Sequence, residues 1–385
     1  MMTPQPLRPI SYRNDPLGAI SCPALVHSEY DFLSTGIPNE NVQRPNSVTI
    51  DPVALHLPWR SSFPAARQCR FWSEAENAGK TLLQQIKRIN RANSTKGGSI
   101  EPEADEAEIE LSSKEVERIV NASSAAVYMN PNCSSEEIEI ISQLNLILWI
   151  HDDILESSDS PHESATIIEK VTASWAGILA HPHKYAADSS DMFIRLAQRM
   201  LCISGQGEGL IRGYLTWMAF MRSTMRDQFT SLRDYLDYRA VDIGRDYILA
   251  AVKFGNKVHL SPAEESPLAP LIGLAMDHII MTNDLFSYDK ERRDSETCAN
   301  AVRYLEQVLA IDARSAKTVI SSLLTQTEGQ MHAELESLRR ADALSEAQIR
   351  CARGVIEAAA GNVVFSITTR RYSPIGAAQA SGMKG

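Results

Sequence analysis

The feature that most constrains this chain is an apolar helical segment that ends abruptly in carboxylates. Residues 147–150 are Ile-Leu-Trp-Ile, and after His151 come Asp152 and Asp153, with Glu156 one helical turn later. Unpaired carboxylates beside apolar surface are costly, and metal coordination is one of the few ways to offset that cost. Residues four apart share a helix face, so Asp152 and Glu156 point the same way. Oxygen ligands of this kind suit Mg²⁺, although a solvated acidic helix end would explain the pattern equally well.

The composition excludes some classes of function. Of the 385 residues, 44% are hydrophobic and 22% are charged, with a net charge of -10 and no basic stripe, which argues against a nucleic-acid-binding protein. An acidic protein that binds an anionic substrate needs local positive charge, from bound cations or from a few placed arginines.

The cysteines and the terminus indicate the compartment. The six cysteines form no CxxC pair and no zinc spacing, so we interpret them as reduced thiols of a cytoplasmic protein. Prolines interrupt the N-terminus, so no secretory signal is expected. No apolar run approaches the ~18 residues that a membrane span needs, so we expect no membrane insertion. A homodimer is left open.

Helical periodicity dominates the chain and predicts an all-α fold of roughly ten or more helices with no sheet. Residues 1–60 are rich in Pro, Asn and Ser and are expected to form an extended N-terminal arm. Residues 61–372 form the predicted single domain, interrupted by a flexible acidic loop at about 93–113, and residues 373–385 form a tail. Helices are expected at about 63–91, 115–128, 134–152, 163–180, 189–203, 207–227, 231–251, 268–291, 298–311, 314–341 and 345–372.

A second polar pattern follows another apolar run. Asn283, Ser287 and Glu291 are spaced four apart, so a helix places them on one stripe. An amide oxygen, a hydroxyl and a carboxylate together can chelate one hard cation. The alternative, an ordinary amphipathic helix, requires this spacing to be accidental.

The two motifs, in this order and at this separation, resemble those of the class I terpene synthases, particularly the microbial and fungal terpene cyclases. The first motif ends in Glu156, where the family more often has Asp, and the second matches fully. In that family the motifs face each other across the mouth of a helical bundle and hold three Mg²⁺ ions on the diphosphate of a prenyl substrate. The resemblance therefore implies a single-domain helical bundle around an apolar cavity. The implied Mg²⁺ ligands are Asp152, Asp153, Glu156, Asn283, Ser287 and Glu291.

The resemblance also implies a diphosphate-sensing arginine on a broken helix. Arg239 fits this role, with Asp242 as the linker and Ile243 as the effector through its backbone carbonyl. Gly244 follows directly, and glycine tolerates the non-helical geometry of a break. The alternative is a surface arginine that pairs with Asp237 or Asp242.

An Arg-Tyr pair near the C-terminus is a further family feature. Arg371 and Tyr372 fit it, and we expect both to donate hydrogen bonds to the diphosphate. Lys290 is another candidate donor, whereas Arg370 is expected to be solvated. Such groups offset the charge that develops on a leaving diphosphate.

Aromatic side chains are expected in the cavity because their faces stabilise carbocations through cation–π attraction. For any one of them, packing in the core is an alternative explanation. The candidates are Trp149, Trp217, Phe220, Phe286 and Phe365.

Together these features predict a Mg²⁺-dependent terpene cyclase. It would ionise a linear prenyl diphosphate and cyclise the carbocation to a terpene hydrocarbon or alcohol. Farnesyl diphosphate is the favoured substrate and geranylgeranyl diphosphate the next. The alternatives are a chain-elongating prenyltransferase, against which the lack of a second Asp-Asp-x-x-Asp argues, and a non-catalytic helical interaction protein.

Overall fold

The computed structural model of the chain describes residues 7–18, 27–34, 45–94, 109–156, 162–181, 189, 191–223, 226–294, 299–341 and 344–373. Within these ranges the side chains at 92–94, 153–156, 162–167, 204 and 294 are not described.

Helices make up most of the described residues, which confirms the predicted all-α class. Short 3₁₀ turns occur at Ser28–Leu33, Ser266–Leu268 and Arg370–Tyr372. The α-helices are α1 (Trp72–Ser94), α2 (Ser113–Met129), α3 (Ser135–Glu156), α4 (His162–Ala180), α5 (Met192–Ser204), α6 (Gly207–Met221), α7 (Leu232–Asp242), α8 (Arg245–Gly255), α9 (Pro262–Glu265), α10 (Ala269–Asp294), α11 (Ala301–Leu309), α12 (Ala313–Arg340) and α13 (Glu346–Thr368). Among these helices, none combines the length and the apolarity needed to span a bilayer.

The expectation of no sheet was wrong at one place. Strand β1 (Ser47–Ile50) pairs antiparallel with β2 (Ala66–Cys69). All four residues of β2 are buried, and the strand packs against α2 and α13. Four-residue strands are too short to show a reliable period of two, so their pairing is a tertiary effect that the pattern did not reveal.

The core is organised around α10 and α13, which pack against each other. Every residue of α13 from Val355 to Thr368 is buried, and its small side chains allow close packing. A Cβ atom at Gly361 would lie 1.9 Å from the Tyr128 carbonyl oxygen on α2, so only glycine fits there. This packing fixes the end of α13, and with it the turn at Arg370–Tyr372.

Candidate active site

Helix α3 carries the first motif. The helix starts with a reciprocal cap: the Glu137 backbone N–H donates to Ser134 Oγ (3.4 Å), and the Ser134 N–H donates to the Glu137 carboxylate (2.8 Å). Asp152 lies at the far end, with its side chain 24% exposed. The side chains of Asp153 and Glu156 lie outside the described residues, so their roles stay predictions.

The residue just before Asp152 anchors the end of α3. His151 is 1% exposed, and its Nδ1 lies 2.8 Å from the Tyr214 hydroxyl on α6. Burial, assisted by Arg222, lowers the pKa of His151 to about 3, so the imidazole is neutral at physiological pH. This contact limits how far the acidic end of α3 can move relative to α6.

Helix α10 carries the second motif, and its three side chains have different neighbours. Glu291 accepts a hydrogen bond from Asn300 Nδ2 (2.9 Å), and Asn283 Nδ2 donates to the Tyr372 hydroxyl (2.7 Å). Ser287 is 2% exposed, and its Oγ has no hydrogen-bond partner among the described residues. Buried polar atoms nearly always have a partner. An unpartnered hydroxyl between an amide and a carboxylate therefore fits a site for a hard cation.

Arg239 lies beside the second motif and is held by several acceptors. It forms ion pairs with Asp242 and, at 3.1 Å, with Asp284, and its Nη2 lies 3.3 Å from Asn283 Oδ1. Its side chain is only 14% exposed. Burial alone would lower the pKa of Arg239, but Asp284 and Asp242 raise it well above its usual value. The alternative of a surface arginine is therefore wrong, although the predicted pairing with Asp242 does occur.

Asp284 organises this network from the core. Its side chain is fully buried and accepts hydrogen bonds from the Tyr235 hydroxyl, from Arg239 Nε (3.1 Å) and from the Ala301 N–H (2.9 Å). Burial raises the pKa of Asp284 to about 6, against the opposing effect of Arg239. The Asp284 carboxyl group orients the guanidinium beside Asn283.

The predicted helix 231–251 is broken where Gly244 suggested. Helix α7 ends at Asp242 and α8 begins at Arg245, and Gly244 between them has φ +80°. The Trp217 indole N–H donates to the Asp242 carbonyl (2.9 Å). At the break, the Gly244 N–H donates to the Val241 carbonyl (3.0 Å), and the Ile248 N–H donates to the Gly244 carbonyl (3.0 Å). None of these bonds uses the Ile243 carbonyl, the group expected to act as effector.

Arg371 and Tyr372 connect the two motifs. Arg371 Nη2 lies 3.4 Å from Asp152 Oδ2 on α3, while the Tyr372 hydroxyl accepts the hydrogen bond from Asn283 on α10. Two adjacent residues thus contact one residue of each motif. Motifs that are 131 positions apart, from residue 152 to residue 283, meet at the end of α13.

Some of the aromatic candidates form a continuous group at this junction. The ring centroids of Trp149 and Phe365 are 6.0 Å apart, and those of Phe365 and Tyr372 are also 6.0 Å apart. The Arg371 guanidinium carbon lies 5.4 Å from the centroid of the Trp149 ring. An apolar aromatic surface therefore adjoins the site where the two motifs meet. Phe220, another of the aromatic candidates, packs edge-on against Tyr238, with 5.2 Å between the ring centroids.

Phe286 has a different environment. It lines a cavity of about 40 Å³ together with His278 and Thr282. At 100° per residue, this stripe of α10 is centred roughly 120° from the stripe that carries Asn283 and Ser287, although Phe286 itself lies about 60° from Asn283. Among the described residues, no ring contact joins Phe286 to the group of Trp149 and Phe365.

The described part of the chain contains no group of three or more His, Cys, Asp or Glu side chains that could hold a metal ion. The residue types and the described ranges explain this result. The set on α10 contributes an amide and a hydroxyl, and the carboxylates of Asp153 and Glu156 are not described. Lys290 is half-buried beside this set, and its role stays a prediction.

Sequence reasoning missed three residues of this site. Asp284 stands inside the second motif and could have been identified by its position, whereas Tyr235 and Asn300 have no such signal. Asn300 also caps α11, because its side-chain oxygen accepts from the Val302 N–H (2.9 Å). One asparagine thus starts a helix and holds Glu291.

Comparisons with known proteins identify the family of this chain. Residues 143–330, which include both motifs, match the family described as terpene synthase family 2, C-terminal metal binding. Terpene cyclase 6 of Gibberella fujikuroi is 30% identical over 376 residues, which cover 96% of this chain and 95% of that protein. Terpene cyclase aneC of Aspergillus aculeatus is 29% identical over 386 residues, which cover 96% of this chain and 84% of that protein.

The fold is shared with solved structures. The aristolochene synthase of Penicillium roqueforti has a TM-score of 0.55 at 22% identity, covering 67% of this chain and 89% of that one. The germacradien-4-ol synthase of Streptomyces citricolor has a TM-score of 0.54 at 17% identity, covering 76% and 93%. With the motifs, the fold and the full-length relatives in agreement, the chain belongs to the class I terpene synthases and is an enzyme of the terpene cyclase type.

Proposed function

We propose that this enzyme is Mg²⁺-dependent and converts a linear prenyl diphosphate, farnesyl diphosphate before its C20 homologue, into a cyclic terpene hydrocarbon or alcohol. The observation that carries the proposal is the pair Arg371 and Tyr372. One contacts Asp152 of the first motif and the other contacts Asn283 of the second. Because these two adjacent residues contact one residue of each motif, they support a site at which both motifs and an anion would meet.

The residues fit a site for hard cations. Asp152, with Asp153 and Glu156, would hold Mg²⁺ on one side of the site, and Asn283, Ser287 and Glu291 would hold it on the other; three ions are expected from the resemblance. The unpartnered Ser287 hydroxyl supports this assignment. When bound, Mg²⁺ supplies charge neutralisation for the diphosphate as its bond to the allylic carbon breaks.

The chain's own cations prepare the site for the diphosphate. Arg239 is aligned by Asp284 and Asp242, so little reorganisation would be needed for it to donate charge-assisted hydrogen bonds to a diphosphate. Arg371 is held by Asp152, and an entering diphosphate offers it a more highly charged acceptor. In this arrangement the two arginines, Tyr372 and Lys290 bind the leaving group.

In this proposal, the carbocation that remains is stabilised by the aromatic surface of Trp149 and Phe365. Trp149 and Phe365 lie next to Arg371 and Tyr372, so the allylic end of the substrate would face their rings. Cation–π attraction in a dry site is worth about 2 kcal/mol or more per ring. The same rings exclude water from the cation, which favours cyclisation over hydrolysis.

The direct test is incubation of the full chain with C10, C15 and C20 prenyl diphosphates, with and without Mg²⁺. Diphosphate release and the mass of the extracted products are measured. We expect Mg²⁺-dependent release and cyclic products from the C15 substrate. No release from any of the three substrates would overturn the proposal. A longer prenyl chain formed when isopentenyl diphosphate is added would instead show the chain-elongating prenyltransferase.

A further inference from the structure

A segment near the N-terminus lies fixed across the body of the protein. This N-terminal strap, residues 7–18, is anchored by ion pairs towards both of its ends. Arg8 Nε lies 2.8 Å from the Glu76 carboxylate, and Asp15 pairs with Arg60 at 2.6 Å. The residues between these anchors are therefore held in a defined position against the helices.

Asn14 lies between the anchors and contacts the end of α13 through its backbone and its side chain. Its backbone N–H donates to the Ile367 carbonyl (2.6 Å). Its Nδ2 donates to the carbonyls of Ser366 (3.1 Å) and Thr369 (2.7 Å), and its Oδ1 accepts from Ser373 Oγ (3.0 Å). These four bonds join positions that are more than 350 residues apart in the chain.

The bonds lie on both sides of the turn that carries the proposed diphosphate donors. The last carbonyls of a helix have no partner within it. Asn14 donates to carbonyls at the end of α13, just before Arg371 and Tyr372, and it accepts a hydrogen bond from Ser373, just after them. We propose that Asn14 is a positioning residue that holds this turn so that Arg371 and Tyr372 can bind diphosphate; the inference rests on the function proposed above.

Other polar contacts on the turn agree with this role. Thr369 Oγ1 donates to Asn121 Oδ1 (2.9 Å) and accepts from the Arg371 N–H (3.3 Å). The Arg370 guanidinium carbon lies 5.6 Å from the centroid of the Tyr12 ring in the strap. Much of the turn's position is thus set by directional bonds. A displacement of about 1 Å in such a site can reduce function by about a hundredfold.

The test uses Asn14→Asp in the full chain. This change is nearly isosteric and keeps the Oδ1 acceptor, but it replaces the donor that faces the Ser366 and Thr369 carbonyls with an acceptor. Ser11→Ala is the matched control, because Ser11 is an exposed residue of the same strap. Calorimetry with inorganic diphosphate and Mg²⁺ should show affinity weakened by about tenfold to a hundredfold in Asn14→Asp, and unchanged in the control.

A variant that lacks both donors separates positioning from general destabilisation. In the Arg371→Ala, Tyr372→Phe background, Asn14→Asp should weaken diphosphate binding no further, because its effect passes through those two side chains. If Asn14 merely supported the fold, its loss would weaken binding by the same factor in both backgrounds. Equal factors in the two backgrounds, or unchanged affinity in Asn14→Asp itself, would overturn the inference.

Hydrogen exchange without ligand distinguishes this inference from the proposed function. We expect the backbone amides of Arg371 and Ser373 to exchange faster in Asn14→Asp than in the wild type, with no change in Ser11→Ala. If the wild type binds no diphosphate, the proposed function fails, and the exchange rates still decide whether Asn14 holds the turn. Unchanged exchange rates in Asn14→Asp would show that Asn14 does not hold the turn.

Discussion

Replacing Asp284 by Asn tests whether the buried network around Arg239 is built on that carboxylate. Asp284 is fully buried and accepts hydrogen bonds from Tyr235, Arg239 and the Ala301 N–H. Asparagine has nearly the same shape, so no cavity forms. It removes the negative charge, however, and turns one acceptor oxygen into a donor that faces other donors. The change therefore leaves a buried arginine without one of its partners.

The expected cost follows from the remaining contacts. Removing one partner of a buried ion pair costs about 3–5 kcal/mol. Arg239 keeps Asp242 and Asn283, so we expect the lower end, about 3 kcal/mol. For a chain of 385 residues this corresponds to a decrease in Tm of roughly 4 °C. The misaligned guanidinium should also raise KM for the prenyl diphosphate.

The assay is urea unfolding followed by circular dichroism, with Asp277→Asn as the control on the same helix. Asp277 pairs with Arg233 at 2.6 Å, but Arg233 is 54% exposed and also pairs with Asp237. Exposed pairs contribute about 1 kcal/mol or less, so the control should lose little stability. If Asp284→Asn is as stable as Asp277→Asn, the carboxylate does not hold the network together and the reasoning fails.

Three further substitutions test the metal site, the break between α7 and α8, and a buried carboxylate. Asn300→Ser keeps a capping hydroxyl for α11 but loses the contact with Glu291, so the Mg²⁺ concentration for half-maximal activity should rise about tenfold to a hundredfold; an unchanged Mg²⁺ titration would contradict this role. Gly244→Ala introduces a side chain at φ +80° and should cost about 1–2 kcal/mol in urea unfolding, whereas no loss of stability would show that the break can relax. Glu328→Gln removes the carboxylate that lies 3.0 Å from buried His278 Nε2 and should cost about 2–3 kcal/mol. Although burial alone would raise the pKa of Glu328, His278 and the other hydrogen-bond partners lower it. The wild type's advantage over Glu328→Gln should therefore be present above the unfolded-state pKa and disappear as pH falls through the folded-state value; an advantage independent of pH would contradict an ionised Glu328.

The features that sequence reasoning predicted depend on short spacings. Asn283, Ser287 and Glu291 are separated by whole helical turns, so their common stripe on α10 follows from periodicity alone. The break at Gly244 could be anticipated for a similar reason, because a single residue type tolerates the required backbone angles. Such local rules do not depend on knowing how the helices pack.

The features that it missed depend on contacts between distant residues. Nothing around Asn14 indicates that it bonds to the last turn of a helix, 353 positions away at Ile367. Likewise, Asn300 holds Glu291 only because the start of α11 packs beside α10. Polar contacts of this kind are set by tertiary packing, and a single sequence carries no periodic signal for them.

In the proposed function, the second motif binds a cation that drives loss of diphosphate. The most direct measurement compares wild type and Asn283→Ala for diphosphate release from farnesyl diphosphate across a Mg²⁺ titration, with circular dichroism to verify folding. We expect Mg²⁺-dependent release by the wild type and none by a folded Asn283→Ala. Normal release by Asn283→Ala, or release by the wild type without any divalent cation, would contradict it.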